Sequence, residues 1–178
     1  NGVGPRGLDF DEPELFERNT FAREEEDLAL VLAALRGGAL PGAASCDPAR
    51  LGLVGHSRGG GLVVVRTAAD AAVRAAVVLA PIATTDRFPD DVLRRGRERG
   101  YVPILNTRTG EEQRVGRDAL DELAARTDLH DIAAHHASRI RVPLLVVHGE
   151  GDTAVLPAEG RRLAAAAPYA TYVGIAGA

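Results

Sequence analysis

A serine flanked at two places on either side by glycine, Gly55-His56-Ser57-Arg58-Gly59, is the run with the most chemical content in this chain. Leu51 to Gly55 before it reads as a short apolar strand, and Gly59 to Asp70 after it has the length of a helix. The serine therefore falls on a strand-to-helix turn. Small residues at Gly55 and Gly59 let the chain fold back sharply there, and the hydroxyl stands out as a nucleophile. The helix that follows points its first amides, beginning with Arg58 N–H, at the place where an oxyanion would develop. With 20 glycines in the chain, the bare pattern is expected by accident only roughly 0.04 times. A phosphate-binding loop would need the spacing of a P-loop or of GxGxxG, and neither occurs.

A serine nucleophile needs a base, and the base needs an orienting acid. Asp152 fits the acid, because it follows the strand read over Val142–His148 through the turn Gly149-Glu150-Gly151. Glu150 and Asp86 are its rivals; Asp86 follows the strand ending at Ala80 but stands farther from it. The base is harder to find. His56 adjoins the nucleophile and points elsewhere, and His148 ends a strand where it would support the turn. His130, His135 and His136 lie with Asp131 on a helix, without the spacing of a zinc-binding HExxH pair, so neither a metal nor a cofactor is expected.

These residues need a scaffold that brings distant segments together. Thr20 can cap a helix that carries Glu24, Glu25 and Glu26 in its first turns and Leu28, Val31, Leu32 and Leu35 at helical spacing, until Gly37-Gly38 stops it. Ala75–Ala80, Val142–His148 and Thr171–Ile175 read as further strands, with a helix over Pro157–Ala166. The continuous apolar runs Leu51–Gly55 and Ala75–Ala80 suggest strands buried on both faces. The order is βαβ, an excursion, then βαβ: a mostly parallel sheet with helices on both faces. The excursion, about Ile82 to Arg141, holds a charged helix over Asp90–Arg99, a hairpin from Tyr101 to Val115 turning at Arg108-Thr109-Gly110, and one or two helices over Asp118–Ala137. Its length suggests a cap over the active site within a single partial domain. Gly60 to Val65 is poor helix material, so the helix after Ser57 needs tertiary support.

At this point two stretches resemble a known superfamily. Gly55-His56-Ser57-Arg58-Gly59-Gly60 resembles the nucleophile elbow of α/β-hydrolases, and His148-Gly149-Glu150-Gly151-Asp152-Thr153-Ala154-Val155 resembles their acid-bearing loop, except that the usual proline falls one place late, at Pro157. Asn1-Gly2-Val3-Gly4, Phe16–Phe21 and the helix after them look like the stretch before the elbow in bacterial dienelactone hydrolases and acylaminoacyl-peptidase-like esterases. The resemblance implies the α/β-hydrolase fold, Ser57 as nucleophile, Asp152 as orienting acid, and a catalytic histidine just past Ala178. It also implies a second oxyanion donor from a loop before Asn1. The chain has no Met and begins at Asn1, which reads as a piece of a longer protein lacking its N-terminal strands, or a processed product. On that reading the segment alone is nearly inert while its parent hydrolyses an ester, thioester or amide.

Composition narrows the other options. A net charge of −4 with 4% aromatics argues against nucleic acid, so Arg94–Arg99 reads as the solvated face of a helix. No apolar run approaches the roughly 18 residues of a membrane span, and a single cysteine, Cys46, with no signal-like opening points to the cytoplasm. A small acyl substrate is the expected partner. Acyl transfer on the same machinery, and a non-catalytic interaction module with the same fold, are the alternative functions.

Overall fold

The computed structural model describes residues 12–106 and 109–178. The stretch Asn1–Asp11 and Arg108 of the expected hairpin turn lie outside the described residues. In chain order the elements are α1 (Pro13–Glu17), α2 (Phe21–Arg36), β1 (Leu51–His56), α3 (Arg58–Ala69), β2 (Val73–Leu79), α4 (Asp90–Arg99), β3 (Tyr101–Leu105), β4 (Glu112–Gly116), α5 (Arg117–Ala125), α6 (Ile132–His135), β5 (Leu144–Gly149), α7 (Pro157–Ala166) and β6 (Ala170–Ile175). They form two compact units.

The larger unit, Glu25–Thr85 with Thr127–Ala178, holds a four-stranded sheet in the order β1-β2-β5-β6, every neighbouring pair parallel. All four strands therefore end at the same edge. Helix α3 packs on β1 and β2, and α7 on β5 and β6. Among the described residues Leu53, Ala76, Val78, Leu144 and Val146 are buried on one face, whereas Val54 is 71% exposed on the other and Leu79, Val173 and Ile175 are exposed with it. Register separates the two sets. Val54, Val77, Leu145 and Thr171 pair across the sheet, and so do His56, Leu79, Val147 and Val173, so each strand turns alternate residues away from α3 and α7.

Helix α3 forms against its own propensities. Three glycines and three valines cost about 5 kcal/mol relative to alanine. Burial of Val63, Val64 and Val65, each under 5% exposed, contributes a similar or larger amount at about 1.5–3 kcal/mol per side chain. At the far end of α3, Asp70 accepts 2.8 Å hydrogen bonds from both Arg36 and Arg66 and a 3.0 Å bond from Ala72 N–H. Burial pushes the carboxyl upward, but these donors outweigh it and hold its pKa at about 2 against an ordinary 3.8. Because the native pKa is the lower one, this stabilisation is complete above the unfolded-state value and is lost as pH falls through the folded-state value. The expected result is about 2 kcal/mol from Asp70 at neutral pH, fading as pH falls from about 4 to 2. Urea unfolding of Asp70→Asn at pH 7 and pH 2 checks it: the gap to the parent closes at the lower pH.

The smaller unit joins residues 12–24 to Asp86–Arg126. The expected excursion was wider, for Ile82–Thr85 and Thr127–Arg141 belong to the larger unit. Leu93, Val102, Leu120 and Leu123 form its core, edged by Phe88, Val92, Ile104 and Val115. The expected hairpin is β3 paired antiparallel with β4. On α4, Asp91–Arg95 and Arg94–Glu98 are exposed i,i+4 ion pairs, in keeping with a solvated basic face. Thr20 Oγ1 accepts the Arg23 N–H at 3.1 Å, the expected cap, and Glu122 adds a second from outside the helix by accepting Phe21 and Ala22 N–H at 2.6 and 2.7 Å. No described helix is long and apolar enough to cross a membrane.

Candidate active site

Ser57 stands between the last residue of β1 and the first of α3 with a left-handed φ of 53°. For a residue with a side chain this geometry costs about 1–3 kcal/mol and is held only by its surroundings. Here those surroundings are explicit. Ser57 N–H donates to Leu79 O at 2.9 Å, continuing the β1–β2 ladder, and Ser57 O accepts from Gly60, Gly61 and Ile82 N–H at 3.0, 3.2 and 3.1 Å. The side chain is half-buried, and no hydrogen bond engages its Oγ among the described residues. Arg58 opens α3, so its N–H lies at the positive end of the helix beside Ser57.

The two glycines of the elbow differ. A Cβ on Gly55 would run into Gly59 O and stand 2.7 Å from Gly59 C and 2.8 Å from Val63 Cγ2. Among the described residues a Cβ on Gly59 would meet nothing within 4 Å, which corrects the expectation that Gly59 must be small. The close approaches on that side belong to Gly60, at 2.8 Å from Pro81 Cβ, and Gly61, at 2.7 Å from Ile82 Cγ1. Helical rotation decides this, because Gly60 and Gly61 face the segment leaving β2 while Gly59 turns outward.

Asp152 follows β5 in a tight turn. Its N–H donates to Gly149 O at 3.2 Å, and its Oδ1 accepts from Ala154 and Val155 N–H at 2.8 and 3.0 Å. Those amide bonds, first Val155 and then Ala154, hold the carboxyl below its ordinary range, with the nearby His148 and His56 adding to the effect. The group is thus an acceptor at neutral pH, and the two amides of the turn bond its Oδ1. His148 is buried, and its Nε2 lies 2.8 Å from Val155 O but 3.8 Å from Asp152 Oδ2, so the imidazole donates to the turn and supports it. Glu150 is committed elsewhere, to Arg161 and to the Tyr172 hydroxyl at 3.0 Å. Asp86 is the first residue of the smaller unit's second segment. His136 pairs with Asp128 at 2.9 Å, and Asp131 caps α6 and pairs with Arg162 at 2.5 Å.

β1 and β5 flank β2, so Ser57 and Asp152 leave the same sheet edge two strand spacings apart, about 10 Å of backbone separation. That leaves room for one imidazole ring between them. His56 lies on the exposed face of β1, in register with Leu79. Residues that the sequence did not single out complete the setting: Ala80, with a left-handed φ of 43°, Ile82 and Ala83, and Glu159, whose Oε2 accepts Ala83 N–H at 2.8 Å. The three consecutive glycines after Arg58, and Pro81, were the available signals.

The sequence pattern of the prolyl oligopeptidase family matches residues 39–171, a span that takes in both the elbow and the acid loop. The chain belongs to this family. Solved structures share the α/β-hydrolase fold. A putative hydrolase from Agrobacterium vitis S4 superposes with a TM-score of 0.68 at 18% identity, covering 90% of this chain and 61% of its own. The esterase domain of a Rhodothermus marinus protein gives 0.57 at 22%, covering 90% and 60%. A puromycin-hydrolyzing peptidase of Mycobacterium tuberculosis gives 0.57 at 20%, covering 86% of this chain and 21% of that one. The chain thus spans about three-fifths of the first two structures and a fifth of the third. Among curated proteins, none is significantly similar. Membership of the prolyl oligopeptidase family sits within the superfamily that the elbow and acid loop resemble, and none of the matches named above singles out its dienelactone hydrolase branch.

Proposed function

We propose that the full-length protein is a serine hydrolase of the prolyl oligopeptidase family, cleaving an ester or amide through an acyl-serine. Ser57 Oγ attacks the carbonyl carbon while its proton passes to a histidine. The oxyanion is met by Arg58 N–H, and collapse expels the alcohol or amine, which takes that proton away. Water then repeats the sequence on the acyl-serine. Asp152 accepts the other N–H of the histidine and stabilises its charged form. The single observation that carries this reading is Ser57, held at a left-handed φ between a parallel strand and a helix N-terminus, on the sheet edge shared with Asp152.

His148 is committed to Val155 O and His136 to Asp128, and His56 lies on the exposed face of β1, so the reading assigns the base to a residue following Ala178, in the order serine, acid, histidine. Gly151 N–H donates to Ala178 O at 2.6 Å, so the chain after β6 lies against the acid loop, which supports that assignment. The exposed thiol of Cys46 accords with a reducing cytoplasm.

The test is covalent labelling of the full-length protein with a fluorophosphonate, followed by peptide mapping. The expected adduct is on Ser57, and its rate falls when Asp152 is replaced by asparagine. Labelling at another serine, or none at all, overturns the proposal. Turnover of p-nitrophenyl esters against peptidyl p-nitroanilides then separates esterase from peptidase.

A further inference from the structure

The segment leaving β2 is held from three sides. Ala80 N–H donates to Val147 O at 2.8 Å, Ile82 N–H to Ser57 O at 3.1 Å, and Ala83 N–H to Glu159 Oε2 at 2.8 Å. Ala83 and Ile82 are buried, at 0% and 4% exposed, so their amides depend on these acceptors. Pro81 and Ile82 press on Gly60 and Gly61 at the start of α3. The backbone takes an unfavourable left-handed turn at Ala80 to arrive there, so the segment needs an anchor.

Glu159 is that anchor. It lies in the first turn of α7, its own N–H donating to Leu156 O at 2.8 Å just beyond the acid loop. A peptide unit is planar and trans, so Ser57 C=O and Arg58 N–H point in opposite directions along one plane. Fixing the carbonyl fixes the amide. We propose that Glu159 is a positioning residue: by holding Ala83 N–H it keeps Ile82 N–H on Ser57 O, and thereby aims Arg58 N–H at the developing oxyanion. The proposal rests on the nucleophile reading above, and it adds a link from α7, next to the acid, to the orientation of the oxyanion donor.

Two measurements test it. Amide hydrogen exchange on the chain reads the mechanical link: Glu159→Ala speeds exchange at Ile82 and Ala83 by about tenfold or more through local opening, whereas Glu159→Gln, which keeps a side-chain oxygen, stays close to the parent. Turnover by the full-length protein reads the consequence. Outright loss of an oxyanion donor lowers kcat about 10²- to 10³-fold, so a misaimed one in Glu159→Ala lowers it about 10- to 100-fold with KM nearly unchanged. Glu159→Gln restores most of that loss. Unchanged exchange at Ile82 and Ala83 overturns the link, and so does a Glu159→Gln variant as impaired as Glu159→Ala. Activity that survives Ser57→Ala overturns the nucleophile reading and the catalytic half of this one, while the exchange rates still judge the anchor.

Discussion

Replacing Ser57 with alanine is expected, on the proposed nucleophile reading, to lower kcat of the full-length protein about 10⁶-fold, and adding Asp152→Asn to that variant to lower it no further. Asp152→Asn alone is expected to cost about 10⁴-fold, because in the proposed triad a histidine whose partner is an amide would be held in the wrong tautomer. The non-additivity follows from the chemistry: once the attacking oxygen is gone, orienting its base serves no purpose. Steady-state ester hydrolysis by the three variants checks all three figures. Folding moves differently. Ser57 sits at a φ of 53°, and Ser57→Ala keeps that strain while Ser57→Gly relieves it, so Ser57→Gly is expected to gain about 1 kcal/mol of stability and be as inactive as Ser57→Ala.

Gly55→Ala and Gly59→Ala have opposite signs, although the two glycines look equivalent in the motif. At Gly55 the new methyl meets the carbonyl of Gly59 and the side chain of Val63. The first is backbone pinned at the start of α3 and cannot swing aside. The expected loss is about 3 kcal/mol or more, at or beyond the upper end of ordinary overpacking. At Gly59 the methyl meets nothing within 4 Å among the described residues, and the residue is helical, so alanine is expected to stabilise by about 0.5–1 kcal/mol. Urea denaturation of both variants at neutral pH decides it. Equal destabilisation by the two would mean that the turn tolerates no methyl anywhere, contrary to the packing described above.

These paired outcomes show where the sequence stops being informative. The strand-to-helix turn at Ser57, the turn after β5 and α7 were legible because each depends on local rules: a strand running into a turn of small residues, an aspartate that folds back on the amides of Ala154 and Val155, and Pro157 at the first position of a helix. The parallel order was legible too, since alternating strands and helices leave few ways to connect. The charged face of α4 could be read from residue types at i,i+4 spacing. Helix α3 lay at the limit, because its propensities favour a strand and its burial alone makes it a helix.

What only the tertiary structure decided is what depends on contacts between segments far apart in sequence. Which glycines must be small was settled by Pro81 and Ile82 arriving beside Gly60 and Gly61. Which strands are covered was settled by α3 packing on β1 and β2 and α7 on β5 and β6. The division after Thr85 and again after Arg126 followed from which segments pack together, and length alone could not locate it. Glu159 had no motif to announce it: its partner, the amide of Ala83, lies 76 residues earlier in the chain. Local spacing carries information about a residue's neighbours in sequence, and a hydrogen bond across the fold is set by the path of the chain between its ends.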